Sequence, residues 1–138
     1  VVAMLGHLIS GTAMLKQEFP RFVRTNMGNA MYNHYCCKDG KWLVQSQSSD
    51  EHWQLVCQLL GHPELARNPR FDSREKRLQN SGELVPIFEK AFATRSRDEW
   101  LLLFKGRGSI MCAVNTTLDV IDDPQMIENG YIVPFNHP

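Results

Sequence analysis

The chain has 138 residues, 43% of them hydrophobic and 22% charged, with 15 basic and 15 acidic side chains that cancel to zero. This is the length of one domain with an ordinary globular core, and it excludes a nucleic-acid or polyanion partner recruited by net charge. The longest apolar runs, such as Trp100 to Phe104, fall far short of the roughly 18–20 residues that a membrane span requires.

Residues 1–18 read as a helix whose stripe of Val1, Leu5, Leu8, Ile9 and Leu15 is weakened by Gly6 and Gly11. The chain begins Val-Val-Ala, already inside that pattern, and is expected to be part of something longer. Without its neighbours the stripe is expected to dock on the rest of the chain or on a second copy. No cationic start or small-residue cleavage site marks a signal peptide, so the Asn115-Thr116-Thr117 sequon carries little weight. Pro20 closes the helix, and residues 20–30 form a connection.

Tyr32 to Cys37 and Trp42 to Gln47 read as two strands joined through Lys38-Asp39-Gly40-Lys41, with Asp-Gly supplying positive φ angles for a tight hairpin. Ser49 or Asp50 caps a helix that buries Trp53, Val56, Cys57 and Leu60, and Gly61 and Pro63 end it. One further helical turn follows at Pro63 to Ala66, then a loop anchored by Phe71. Asp72 and Ser73 cap a third helix, which turns Arg74, Arg77 and Asn80 outward. Asn80 to Ala93 is helical, and Pro86 is tolerable only if a new helix starts near Asn80 or the existing one kinks there. Ser96 and Glu99 have the spacing of a capping box for the next helix, which Gly106-Arg107-Gly108 stops. Met111 to Val114 reads as a short buried strand. Two helical turns follow at Thr117 to Asp122 and Pro124 to Asn129, and Tyr131 to Phe135 as a last strand. The fold class is therefore α+β, a small, mostly antiparallel sheet with a hairpin packed with several helices, plus the N-terminal linker helix.

Little here has the pattern of chemistry. Cys36, Cys37, Cys57 and Cys112 are too few and too irregular for a secreted disulfide framework, so a cytoplasmic, reducing compartment is expected. His34 and Cys36 share a strand face and Cys37 takes the other, so a thiol enzyme remains open but core packing is favoured. No C-x-x-C or H-x-x-x-H spacing points to a metal. Gly106-Arg107-Gly108 follows a helix and precedes a strand, the wrong polarity for a phosphate loop. The acidic pairs Asp50-Glu51, Asp98-Glu99 and Asp122-Asp123 sit at helix starts, where the helix dipole accounts for them. For the basic cluster Arg67, Arg70, Arg74, Lys76 and Arg77, a solvated or salt-bridged face is favoured over an anion site.

An ordered series does resemble one family. Asn33-His34-Tyr35 with Lys38-Asp39-Gly40-Lys41-Trp42, then Trp53 and Leu60-Gly61-His62-Pro63-Glu64-Leu65, are similar to class III CoA-transferases, the group of formyl-CoA and carnitine CoA-transferases and α-methylacyl-CoA racemase. The series continues through Asn68-Pro69-Arg70-Phe71, Arg77 with Asn80, Phe92 with Arg95, Glu99-Trp100, Ala113-Val114-Asn115, Asp123-Pro124-Gln125 and His137-Pro138.

The resemblance implies a parent roughly three times longer, by domain size, in which two chains interlock. It implies a Rossmann-like large domain that binds coenzyme A and carries an aspartate, first acylated and then holding CoA as a thioester. Residues 1–25 would be a linker helix and connection from that domain, and 26–138 the small domain covering its cleft. No catalytic residue, cofactor or metal ligand is then expected in this chain. The substrates, an acyl-CoA thioester and a carboxylic acid, and the interlocked homodimer belong to the parent. The family's glycine-rich loop over the intermediate corresponds to Met27, Gly28, Asn29, Ala30, Met31 and Tyr32, which lack the glycine run and suit a more apolar acyl group. A racemase of the same family and a free-standing binding domain are the alternatives.

Overall fold

The fold is described from a computed structural model, for residues 6–17, 23–46 and 50–135. Its order is α1 (Gly6–Leu15), β1 (Tyr32–Cys36), β2 (Trp42–Ser46), α2 (Trp53–Leu59), α3 (Arg74–Gln79), α4 (Ser81–Phe92), α5 (Arg97–Phe104), β3 (Met111–Val114), α6 (Thr117–Ile121) and α7 (Pro124–Glu128). Short 3-10 turns lie at Arg24–Asn26, Asp50–His52 and Pro63–Arg67. The strands form one antiparallel sheet in the order β1-β2-β3, with Tyr35 opposite Leu43 and Leu43 opposite Ala113. The α+β class with a hairpin sheet is thus what the chain adopts.

Strand alternation divides the sheet into unlike faces. Asn33, Tyr35, Leu43 and Gln45 are buried on the inner face, against α4 and α5. Tyr32, His34, Trp42, Val44, Cys112 and Val114 belong to the outer face. Behind the inner face the aromatics run in series. Trp53 stacks on Phe88 at 6.3 Å, Phe88 meets Tyr35 at 5.9 Å, Tyr35 stacks on Phe92 at 4.8 Å, and Phe92 meets Trp100 at 5.2 Å. Trp100 donates its indole N–H to the Phe92 carbonyl at 2.8 Å, so α4 and α5 are joined by a hydrogen bond as well as by ring contact.

Several sequence expectations change in detail. In the hairpin only Gly40 takes a positive φ, 75°, so the link is a three-residue loop with a glycine bulge rather than a two-residue turn. Its amide donates to the Cys37 carbonyl at 2.9 Å, and Asp39 accepts from the Lys41 and Arg97 amides at 3.2 Å. The hairpin tip therefore also caps α5. The strand β3 is half exposed rather than buried, because it is the sheet edge and Cys112 lies on the outer face. No strand forms at Tyr131 to Phe135: the amides of Tyr131 and Ile132 fold back to the Met126 carbonyl, closing α7 past Gly130. The proposed caps at Ser73 and Ser96 form, the latter as a full capping box with Glu99. Ser49, Val1 and Leu5 lie outside the described residues. In α1, Ile9, Met14 and Leu15 stay exposed rather than docking on the domain.

The largest departure is Arg77, expected outside and found buried. Its guanidinium lies 4.8 Å from the Trp53 ring centroid, donates to the Phe71 carbonyl at 3.0 Å and pairs with Asp50. The turn into α3 brings it inward because Phe71 itself is a core residue whose carbonyl needs a donor. Arg77→Ala should therefore cost about 2–4 kcal/mol in urea unfolding, from the orphaned carbonyl and lost packing. Asp50→Asn, at an exposed carboxylate, should cost under about 1 kcal/mol.

Gln45 is fully buried, and neither its amide oxygen nor its amide nitrogen has a hydrogen-bond partner. Gln45→Met keeps the volume and removes the orphaned dipole. It should raise unfolding free energy by about 1–2 kcal/mol, measured as a later urea midpoint at unchanged slope.

Burial pushes the Cys37 thiol up to about 11 and the Cys57 thiol up to about 12, and it raises the Tyr35 phenol in the same direction. These groups bind protons more tightly folded than unfolded, so their contribution is complete below about pH 8.5, the ordinary thiol value. It declines as pH rises from there towards 11–12. Urea midpoints under reducing conditions should fall between pH 8.5 and 11, and Cys57→Ala should flatten that fall.

Candidate functional site

The segment from Arg24 to Tyr32 enters the sheet from outside and is held at four points. Ser81, at the start of α4, donates its hydroxyl to the Met27 carbonyl. Asn33 donates its side-chain amide to the Arg24 carbonyl at 3.0 Å, and Tyr35 donates its hydroxyl to the Ala30 carbonyl at 2.6 Å. The Arg24 guanidinium pairs with Glu89 on α4. Asn29 then closes a tight turn, its side-chain oxygen accepting from the Met31 amide at 2.9 Å and its carbonyl from the Tyr32 amide at 3.0 Å.

These anchors place the six sequence-predicted residues differently. Ala30 and Met31 are core residues, 1% and 2% exposed. Met27 and Asn29 are half-buried, Gly28 is exposed, and a Cβ on Gly28 would meet nothing within 4 Å. Tyr32, 58% exposed, opens β1 on the outer sheet face two residues from His34. The surface offered by the turn is thus Met27, Gly28, Asn29 and Tyr32. Ala30 and Met31 serve as its root.

The other candidates resolve into structure. The buried Cys37 and Cys57 thiols are held protonated at neutral pH by desolvation, the opposite of an activated nucleophile. His34 points to the outer face, its ring 6.2 Å from that of Trp42 and tilted by 60°. Among the described residues no three His, Cys, Asp or Glu side chains stand together as a metal site would need. The basic cluster is largely paired: Arg70 with Glu83, Lys76 with Asp72 at 2.8 Å, Arg77 with Asp50. Gly106 and Gly108 both take positive φ, and a Cβ on Gly108 would come within 2.6 Å of the His52 ring nitrogen. The loop is thus a turn that lets His52 approach the backbone.

Sequence reasoning missed Arg24 and Arg97. Arg97 is 7% exposed and donates to the Val114 carbonyl at 3.2 Å, joining α5 to β3, and Asp119 at the start of α6 lies 3.9 Å away. Arg24 lies 5.1 Å above the Trp42 ring, on a segment that had read only as a connection.

Comparison with known proteins agrees with this architecture. A family model described as CoA-transferase family III matches residues 1–138. Human succinyl-CoA:glutarate CoA-transferase is 28% identical over 137 residues, which is 99% of this chain and 31% of that protein. A probable fatty acyl-CoA transferase of Mycobacterium tuberculosis is 34% identical over 88 residues, 64% of this chain and 22% of that one. A crystal structure of a CAIB/BAIF family protein from Brucella suis superposes with a TM-score of 0.82, covering 93% of this chain and 34% of that chain, at 24% identity. The chain spans about a third or less of the length of these relatives. By sequence over its whole length, and with a matching fold, the chain belongs to CoA-transferase family III.

Proposed function

We propose that residues 26–138 are the acyl-side cover of an enzyme that moves coenzyme A from an acyl-CoA thioester to a carboxylic acid. In this reading residues 1–25 link the cover to a larger domain. The aspartate that becomes an acyl anhydride, and then the CoA thioester, lies outside this chain. The observation that carries the reading is the family match over residues 1–138.

Such a cover works by excluding water, because an anhydride or thioester left wet hydrolyses instead of transferring its acyl group. The Met27 to Tyr32 turn suits the task. Its backbone is pinned by Ser81, Tyr35 and the core side chains of Ala30 and Met31, while Gly28 leaves room for a substrate to come close. Two of the relatives named above carry transferase names, one for succinyl-CoA and glutarate and one, a probable transferase, for fatty acyl-CoA, which favours transfer over racemisation. An interlocked homodimer of the parent and a cytoplasmic setting belong to the same reading, and the four cysteines are free thiols.

The test is an exchange assay with labelled acid and acyl-CoA. The parent protein should exchange CoA between acids, and the 138-residue chain should not; exchange by the isolated chain at an enzymatic rate would overturn the reading.

Two substitutions separate surface from root. Gly28→Leu should leave the stability of the isolated chain within about 0.5 kcal/mol and lower transfer in the parent by roughly tenfold, with more hydrolysis. Met31→Ala should cost about 2–5 kcal/mol of stability. Unchanged transfer by a folded Gly28→Leu parent would remove the turn from the site.

A further inference from the structure

The outer face of the sheet carries a groove of about 480 Å³, lined by Arg24, His34, Trp42, Val44 and Val114. That volume lies within the range of small-ligand pockets. Strand register builds it: His34 stands opposite Val44, and Trp42 stands opposite Val114, so one side chain from β1, two from β2 and one from β3 share the floor. Tyr32 lies on the same face, two residues before His34 on β1.

The charge of the groove decides its occupant. Arg24 is its one permanent cation, and that charge is already answered by Glu89 of α4, while the flat guanidinium lies on the Trp42 ring. With the pair intact, no unanswered permanent charge is left for a second carboxylate, and the remaining walls are the His34 imidazole, an indole and two valines. A ligand carboxylate laid here would lose water and gain at most the His34 ring as a partner, with no unanswered permanent charge, whereas a hydrocarbon chain would lose only its unfavourable contact with water.

We infer that this groove is a binding subsite for the apolar chain of a neutral acyl group, and that the Arg24–Glu89 pair selects against dicarboxylic acyl groups. The inference rests on the acyl-transfer reading above and adds a substrate class to it. It sets this chain apart from the relative named for succinyl and glutaryl groups.

The experiment titrates the 138-residue chain with hexanoyl-N-acetylcysteamine and, separately, with the glutaryl monothioester, following the indole N–H of Trp42 and the methyls of Val44 and Val114 by NMR. Trp42→Phe assigns the indole signal. The hexanoyl thioester should shift these signals saturably, and the glutaryl thioester should bind at least tenfold more weakly.

Glu89→Gln frees the guanidinium and should bring the two ligands within about threefold, through tighter glutaryl binding. Val114→Asp, at a position 43% exposed, should abolish hexanoyl binding without unfolding the chain. Equal affinities in the unsubstituted chain, no saturable shift at Trp42, or an unchanged preference in Glu89→Gln would each overturn the inference. The readout involves no CoA transfer, so a negative result removes the groove while the exchange assay still decides the transfer reading.

Discussion

The contact on which the rest of the domain depends is Tyr35 between Phe88 and Phe92. Its ring stacks on one phenylalanine and tilts against the other, fixing β1 on α4, and its hydroxyl reaches past them to the Ala30 carbonyl. One side chain thus joins the sheet, the central helix and the turn that precedes the sheet. A phenylalanine there would keep the stacking and leave a buried carbonyl without its donor, which is why a tyrosine suits this fully buried point of the core. From it the aromatic series spreads to Trp53 on α2 and to Trp100 and Phe104 on α5.

Around this spine the buried polar groups act as joints between elements that share little apolar contact. Arg77 ties α3 to the Phe71 loop, to Asp50 and to the Trp53 ring. Arg97 ties α5 to β3, and Asn33 holds the Arg24 carbonyl in the approach to β1. Each arginine offers several donors in a fixed plane, so it can meet a backbone carbonyl, a carboxylate and a ring at once. Gln45 is an exception, since it is buried beside Asn33 with both amide atoms unmet, and the Trp53 indole N–H and Ser109 hydroxyl are also unmet. Hydrophobic burial therefore fixes the layers, and polar joints fix the angles between them.

Legibility in the sequence follows the same division. Features set by local chemistry were readable: the hairpin, the Ser73 cap, the Ser96–Glu99 box, the Phe71 anchor and the helix break at Asn80, although Pro86 still falls inside α4. Features set by a distant partner were not. Arg77 has the look of a surface residue because helical periodicity does not reveal that Phe71 turns its carbonyl inward. The strand expected at Tyr131 to Phe135 fails because β-branched and aromatic composition shows propensity but not whether an edge is available to pair with. At the candidate site the turn itself could be located, but its split into a buried root and an exposed surface depends on Ser81 and Tyr35, one 54 residues away and the other on the strand beyond.

The strand β1 shows how closely structure and the proposed function share residues. Asn33 and Tyr35 face inward, where one holds the approach segment and the other holds the turn; Tyr32 and His34 face outward, and His34 lines the groove. Because side chains alternate, a slip of one residue in register would place the anchors on the surface and the groove residues in the core. The sheet is protected against that slip by the bulged loop at Gly40 and by Asp39, which bonds to the start of α5 as well as to its own turn. A hairpin tip far from the groove therefore sets which side chains reach it. For the proposed cover role, which asks for shape rather than reacting groups, this placement of surface relative to core would be the contribution of the domain.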